Sequence, residues 1–117
     1  MKTIENLKSE KKSIIDSQPN REPQSKEGKK EYRKAKQRVS WLNDCILYLE
    51  TFPEEEFLRK QKEQKQKELD HIDDSFEEWQ NNTPRMLYVK NARTVYNNLM
   101  GRQKVYNHLN TLEYLLS

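Results

Sequence analysis

The chain is 117 residues long, enough for one small domain, and its charged fraction of 35% exceeds its hydrophobic fraction of 32%. So small a supply of apolar residues argues against a compact α/β enzyme, whose parallel sheet needs nearly continuous apolar strands, and two glycines are too few for a glycine-rich phosphate loop. The formal net charge is +3, and a single cysteine cannot form an internal disulfide.

Apolar residues recur at steps of three and four along the chain, a spacing that predicts helices rather than strands. No apolar run approaches the ~18 residues of a membrane span, and the N-terminal segment lacks the apolar core of a secretory signal. Frequent lysine and asparagine with little alanine is typical of an AT-rich bacterial or phage genome. We therefore expect an all-α protein that works in the cytoplasm or within a virion, is not secreted and binds no membrane.

The first predicted element is a short helix over residues 3–16, with its apolar side chains on one face. Because a lone helix of this length is marginal in water, we expect it to dock on another part of the protein. Residues 17–28 hold two of the four prolines, one of the two glycines and no large apolar residue, which is typical of a linker. The predicted organisation is a helical arm over 1–16, a flexible linker over 17–28 and a helical bundle over 29–117.

The second predicted helix covers residues 29–50 and carries two apolar seams. The first seam has the spacing of packed helices and comprises Tyr32, Ala35, Val39, Leu42, Ile46 and Leu49. The second seam comprises Trp41, Cys45, Tyr48 and Phe52. A helix that is apolar over more than one face needs two neighbours or a partner chain, so this helix is a candidate for an interface.

The third predicted helix covers residues 53–80. Thr51 and Glu54 form the pattern of a capping box at its start, and Pro53 suits its first turn. The stretch 60–68 contains no apolar residue, so we expect it to be a solvated part of the helix. The apolar stripe of this helix comprises Phe57, Leu58, Leu69, Ile72, Phe76 and Trp79.

The last predicted helix begins with Thr83 as its N-cap and Pro84 in its first turn. One apolar stripe along it comprises Tyr88, Ala92, Val95, Leu99, Tyr106, Leu109 and Leu116. Gly101 interrupts this helix at a cost of about 1 kcal/mol relative to alanine, which indicates either a close approach of a neighbouring helix or a tolerated kink. Short breaks favour antiparallel neighbours, so we predict an antiparallel, coiled-coil-like bundle of three long helices, preceded by a short N-terminal helix on a flexible linker.

Charge changes sign along the chain. Residues 1–40 carry 12 basic and 6 acidic side chains, residues 41–80 carry 5 and 12, and residues 81–117 carry 5 and 1. The densest basic stretch, 26–38, suggests a nucleic-acid surface when it is considered alone. A chain reversal near Phe52 would instead place it against the acidic block 70–78. Charge complementarity, within the chain or between subunits, is therefore the favoured interpretation, and nucleic-acid binding is the alternative.

A second basic face lies on the last predicted helix, where Lys90, Arg93 and Lys104 could either contact phosphates or face the acidic third helix. Phosphate contacts need cations spaced along a groove, which both basic stretches could supply. The candidate nucleic-acid-binding residues are therefore Lys29, Lys30, Arg33, Lys34, Lys36, Arg38, Lys90, Arg93 and Lys104.

Few residues have the arrangement that catalysis or metal binding requires. His71, Asp74 and Glu78 share a helical face, but no matching second ligand element occurs elsewhere, so we expect no metal and no cofactor. Cys45 lies within an apolar helix, where burial raises the pKa of a thiol, and no motif places a histidine beside it. We therefore predict that the protein has no catalytic residues and is not an enzyme.

These observations predict a non-enzymatic helical protein–protein interaction module, a structural or adaptor subunit of a larger assembly such as a phage or phage-like virion. Its partners would be other protein subunits, in a homo- or hetero-oligomer. The predicted interface residues are Trp41, Cys45, Tyr48, Phe52, Phe57, Trp79, Tyr96 and Met100. The alternatives are a small nucleic-acid-binding protein and a phage-encoded inhibitor that masks a host protein through the acidic block 70–78.

Overall fold

The structure, a computed structural model, describes residues 1–83 and 90–117, and within these ranges it contains five α-helices and no strand. The helices are α1 (Ile4–Ser17), α2 (Lys26–Thr51), α3 (Glu55–Asn82), α4 (Ala92–Met100) and α5 (Arg102–Leu116). The predicted all-α class is therefore confirmed. No described helix combines the length and the apolar character that crossing a bilayer requires.

Contacts divide the chain into two units. The first unit is Met1–Glu54 together with Ser117, and it contains α1 and α2. The second unit is Glu55–Leu116, and it contains α3, α4 and α5. Residues 29–117, which the sequence grouped as one predicted bundle, thus contribute to both units, and α2 shares its unit with the N-terminal helix.

In the first unit, α1 packs against α2, as expected for a helix too short to persist alone. The Thr3 hydroxyl accepts a hydrogen bond from the Asn6 backbone N–H at 3.1 Å, and the Asn6 side chain accepts one from the Thr3 N–H at 3.2 Å, which caps α1. The core of the unit comprises Leu7, Leu42, Cys45, Ile46 and Leu49. Four of these five belong to the two seams predicted for α2.

The start and the end of α2 both differ from the prediction. The helix begins at Lys26 because the Ser25 hydroxyl accepts a hydrogen bond from the Gly28 N–H at 3.0 Å. A side chain at Gly28 would come within 2.7 Å of Pro23, so this turn requires glycine. The predicted role of Thr51 as the N-cap of the third helix is wrong, because Thr51 is the last residue of α2 and its hydroxyl donates to the Leu47 carbonyl at 2.8 Å.

In the second unit, α3 packs against α5, and the short α4 contacts both. The core of this unit comprises Leu58, Leu69, Ile72, Phe76, Ala92, Leu109, Leu112 and Leu115. The stretch 60–68 is mostly exposed, as predicted, but Lys65 is half-buried. Its ammonium group lies 3.3 Å from a Glu68 carboxylate oxygen.

The last predicted helix is divided at Gly101. This glycine has a φ of 68° and ends α4 in the left-handed conformation, which costs other residues roughly 1–2 kcal/mol. A Cβ at Gly101 would meet nothing within 4 Å, so the close approach of a neighbouring helix is wrong and the break in the helix is the correct alternative. The predicted helix start at Pro84 and the stripe position Tyr88 lie outside the described residues.

The predicted stripe of the last helix is only partly buried. Ala92 and Leu109 lie in the core, whereas Val95, Leu99 and Tyr106 are exposed. These three side chains are therefore apolar positions of the stripe that lie outside the core. The break at Gly101 changes the helix direction, so positions on either side of it no longer share one continuous face.

Leucine packing in the second unit can be tested with a matched pair of substitutions. Leu112 is completely buried and Leu99 is 80% exposed. We expect Leu112→Ala to lower the free energy of unfolding by about 3 kcal/mol, because it leaves a cavity in the core, and Leu99→Ala to change it by less than about 0.5 kcal/mol. Urea unfolding followed by circular dichroism measures both values. Equal effects of the two substitutions would contradict the assignment of the core.

Candidate functional site

The N-terminal half of α2 presents a row of cations to solvent. They recur at steps of three and four residues, which places them on one side of a helix, where they line a shallow depression. We call this surface the basic face of α2, and it comprises Lys26, Lys29, Lys30, Arg33 and Lys34. Four of these five are predicted nucleic-acid-binding residues. Their carboxylate neighbour is Glu22, which lies 3.7 Å from the Arg33 guanidinium in an exposed ion pair.

Two further predicted cations of α2 point elsewhere. The Lys36 ammonium lies 4.6 Å from the centroid of the Tyr32 ring. The Arg38 guanidinium lies over the Trp41 ring at 4.4 Å and donates to the Glu10 carboxylate of α1 at 2.8 Å. Arg38 therefore joins α1 to α2 inside the first unit, and the structure does not bring it together with the basic face of α2.

The predicted basic face of the last helix is divided in the same way. Arg93 of α4 and Arg102 of α5 both donate to the Asp73 carboxylate of α3, at 2.6 and 2.9 Å. Their hydrogen bonds and charges, chiefly those of Arg102, lower the pKa of Asp73 and keep it ionised. Arg93 thus faces the acidic third helix, one of its two predicted roles, whereas Lys90 and Lys104 are exposed.

Two carboxylates of the acidic block 70–78 have separate partners. Asp73 holds two arginines, and Asp70 accepts a hydrogen bond from the Gln66 amide at 3.0 Å. Among the described residues, no group of three or more histidine, cysteine, aspartate or glutamate side chains is placed to hold a metal ion. The predicted pairing of this block with residues 26–38 would join helices of different units and stays a prediction.

Burial changes the protonation behaviour of the cysteine and of one histidine. Cys45 is completely buried in the first unit, and burial raises the pKa of its thiol to about 11. His108 is half-buried on α5, where burial and the nearby Lys65 ammonium lower its pKa. At neutral pH Cys45 is therefore a protonated thiol, which is a poor nucleophile, and His108 is a neutral imidazole.

The predicted interface residues of α2 and the start of α3 have different degrees of exposure. Cys45 belongs to the core of the first unit and is inaccessible. Trp41 and Tyr48 are half-buried, whereas Phe52 is exposed with its ring centroid 5.3 Å from that of Tyr48. Phe57 is half-buried at the start of α3. Each of these four aromatic side chains makes further interactions within the protein.

The predicted interface residues of the second unit meet at α4. Trp79 of α3 stacks on Tyr96 of α4 with ring centroids 5.5 Å apart and an angle of 25° between the rings. Tyr96 also contacts Phe76 of the core, with centroids 5.3 Å apart, so the aromatic pair is anchored to the unit. Met100 lies on the same helix and is 44% exposed, and Trp79 is 40% exposed.

Two residues of the apolar stripe predicted for the last helix extend this surface. Val95 is 54% exposed and Leu99 is 80% exposed, and both lie on the side of α4 that carries Ala92. Because Ala92 alone is buried on this helix, α3 and α5 cover only a small part of the apolar side of α4. We call the uncovered part the apolar face of α4, and it comprises Val95, Leu99 and Met100. Gly101, with its tendency to end helices, was the one sequence signal of this exposure.

Comparison with protein families, with curated proteins and with solved structures gave no match to this chain.

The protected state of Cys45 gives a direct test of the first unit. We expect the folded protein to react with iodoacetamide at pH 8 about a hundredfold more slowly than free cysteine, because a raised thiol pKa and burial both reduce access to the thiolate. Mass spectrometry of timed samples measures the reaction, and the same protein in concentrated urea is the control. A folded protein that reacts as fast as free cysteine would contradict the burial of this thiol.

Proposed function

We propose that this protein is a non-enzymatic interaction module, a structural or adaptor subunit of a larger assembly such as a phage-like virion, and that it contacts other subunits through the apolar face of α4. The observation that carries the proposal is the exposure of three large apolar side chains on one short helix: Val95, Leu99 and Met100. Contiguous exposed apolar surface of this kind is typical of protein interaction sites.

The composition of α4 favours a protein partner. This helix has one charged residue in nine, Arg93, whereas 35% of the whole chain is charged. Interface centres are poor in charge and rich in aromatic and methionine side chains, and the stacked pair of Trp79 and Tyr96 borders this surface. Covering a large apolar side chain contributes about 1.5–3 kcal/mol, so three of them supply the few anchors that dominate a typical interface.

A second copy of the chain is the partner that we propose first. A self-complementary apolar patch needs only the same patch on another subunit, which is the arrangement of the commonest closed oligomers. The helix ends at Gly101, where an added Cβ would meet no atom within 4 Å, so no other described part of the protein crowds this end of α4. Other protein subunits could dock on the same surface and would be recognised by the same apolar contacts.

Self-association can be tested by the mass of the full chain in solution. We expect size-exclusion chromatography with light scattering to show a defined oligomer for the wild-type protein and a smaller species for Leu99→Lys, because a charge in the interface must be desolvated. The matched control is Leu47→Lys, which changes another exposed leucine, one that lies on α2. A wild-type monomer at high concentration, or an unchanged mass for Leu99→Lys, would contradict the proposal.

Nucleic-acid binding is the second candidate, and the basic face of α2 favours it. We expect any such binding to weaken steeply with salt, and Lys30→Gln to reduce the magnitude of the slope of log affinity against log salt by about one, since one phosphate contact is lost. Lys67→Gln, which removes an exposed lysine of α3, is the matched control. Fluorescence anisotropy with a labelled DNA duplex measures the slope. Absence of binding at low salt would eliminate this candidate.

The third candidate, an inhibitor that uses the acidic block 70–78, has less support. Asp73, near the middle of this block, holds Arg93 and Arg102 within 2.9 Å. Its charge is therefore neutralised inside the second unit, and a smaller part of the block is available to a basic partner.

A further inference from the structure

In the first unit, α2 is much longer than the helix that packs on it. α2 has 26 residues and α1 has 14, so about 18 Å of α2 has no α1 residues beside it. Lys8 lies near Ile46 and Ile15 lies near Val39, so the two helices run antiparallel and the N-terminal half of α2 extends past the end of α1. The apolar seam of α2 continues into this half through Ala35, and residues 18–20, which follow α1, lie beside it there.

A groove occupies the place where α1 ends. It has a volume of about 480 Å³, and its apolar lining comprises Ile15, Pro19, Tyr32, Ala35 and Val39. A second groove of about 350 Å³ continues from it along α1, since Ile15 and Asn43 line both. We call the two together the α1–α2 groove. Ile15 is 50% exposed in it, although isoleucine is among the residues most often buried.

The charged side chains that line the α1–α2 groove all carry the same sign. They are Lys8, Lys11, Lys12 and Lys36. Among the described residues that line it there is no carboxylate, and the remaining polar groups are uncharged amides and a hydroxyl. The Lys36 ammonium is held at the rim by the Tyr32 ring, 4.6 Å from its centroid.

We propose that the α1–α2 groove binds an acidic amphipathic segment of a partner protein. Apolar side chains of that segment would cover Ile15, Ala35 and Val39, and its carboxylates would meet the lysines along the rim. Amphipathic helices dock in apolar grooves through side chains three and four residues apart, and a rim of one charge selects a partner of the opposite charge. This surface belongs to a different unit from the apolar face of α4, so either proposal can fail without the other.

A nucleic acid fits this groove less well than an acidic protein segment does. The cations best placed for phosphates form the basic face of α2, which lines a separate depression and shares no residue with the groove. A phosphate backbone would gain nothing from the apolar lining, whereas leucine or isoleucine side chains of a protein segment would. Binding of a nucleic acid and binding of an acidic protein segment should therefore depend on different residues of α2.

The probe for the test is a synthetic helical peptide of about 14 residues, with leucine at positions i, i+3, i+4 and i+7 and mostly glutamate elsewhere. A version with lysine in place of glutamate, a scrambled version and a single-stranded oligothymidine are the comparison ligands. Binding to the full-length protein at low salt is measured by fluorescence anisotropy. We expect the acidic amphipathic peptide to bind and the lysine and scrambled versions to bind at least about tenfold more weakly.

Two substitutions separate the groove from the rest of α2. We expect Lys36→Glu to weaken peptide binding about tenfold, and Lys30→Glu, the same change on the basic face of α2, to weaken it less than about twofold. Ala35→Trp fills the groove without changing the charge and should abolish binding, with circular dichroism as the check on folding. Leu99→Lys should leave peptide binding unchanged, which distinguishes this site from the proposed oligomer interface.

Four results would overturn the proposal. One is equal binding of the acidic and the lysine peptides, and another is an equal loss for Lys36→Glu and Lys30→Glu. The third is binding of the oligothymidine alone with sensitivity at Lys30, which would assign the surface to nucleic acid. The fourth is the absence of peptide binding at millimolar concentration, because the groove would then have no affinity for the acidic amphipathic peptide.

Discussion

Leucine packing between pairs of helices is the interaction on which both units depend. The largest fully buried side chains among the described residues are five leucines and one cysteine. The core of each unit is therefore a small number of apolar side chains where the helices meet, and much of each helix surface is polar. Because losing one buried leucine costs about 2–5 kcal/mol and a small domain has only about 5–15 kcal/mol of stability, a few contacts decide whether each unit folds.

The exposed surfaces follow from the same narrow cores. In the first unit, α1 is shorter than α2, and the seam that α1 leaves bare becomes the α1–α2 groove. In the second unit, Ala92 is the one buried residue of α4, so the rest of its apolar side is uncovered. The exposed apolar residues have the same three- and four-residue spacing as the buried ones. Each exposed surface is therefore similar to a helix face that packs against another helix.

Periodicity predicted the helices well and their neighbours poorly. The seams of α2 contain four of the five core residues of the first unit, since apolar residues at heptad spacing must be buried by some partner. The spacing placed Val95 and Leu99 on the apolar side of their helix, but spacing does not show whether a neighbouring helix covers that side. Gly101 was ambiguous for a related reason, as a glycine within a helix and a glycine that ends one look alike in sequence.

Among the candidate sites, features that lie on one helix were predictable, and most contacts between helices were not. The basic face of α2 was predictable, because it lies on one helix and needs only the spacing of its cations. The pairing of Arg38 with Glu10 was not predictable, since Glu10 lies on another helix, whereas contact with the acidic third helix was one of two roles predicted for Arg93. Asp73 also connects the two sides of the helix break. Its carboxylate binds Arg93 before Gly101 and Arg102 after it, so one side chain of α3 holds both α4, which carries the apolar face, and α5.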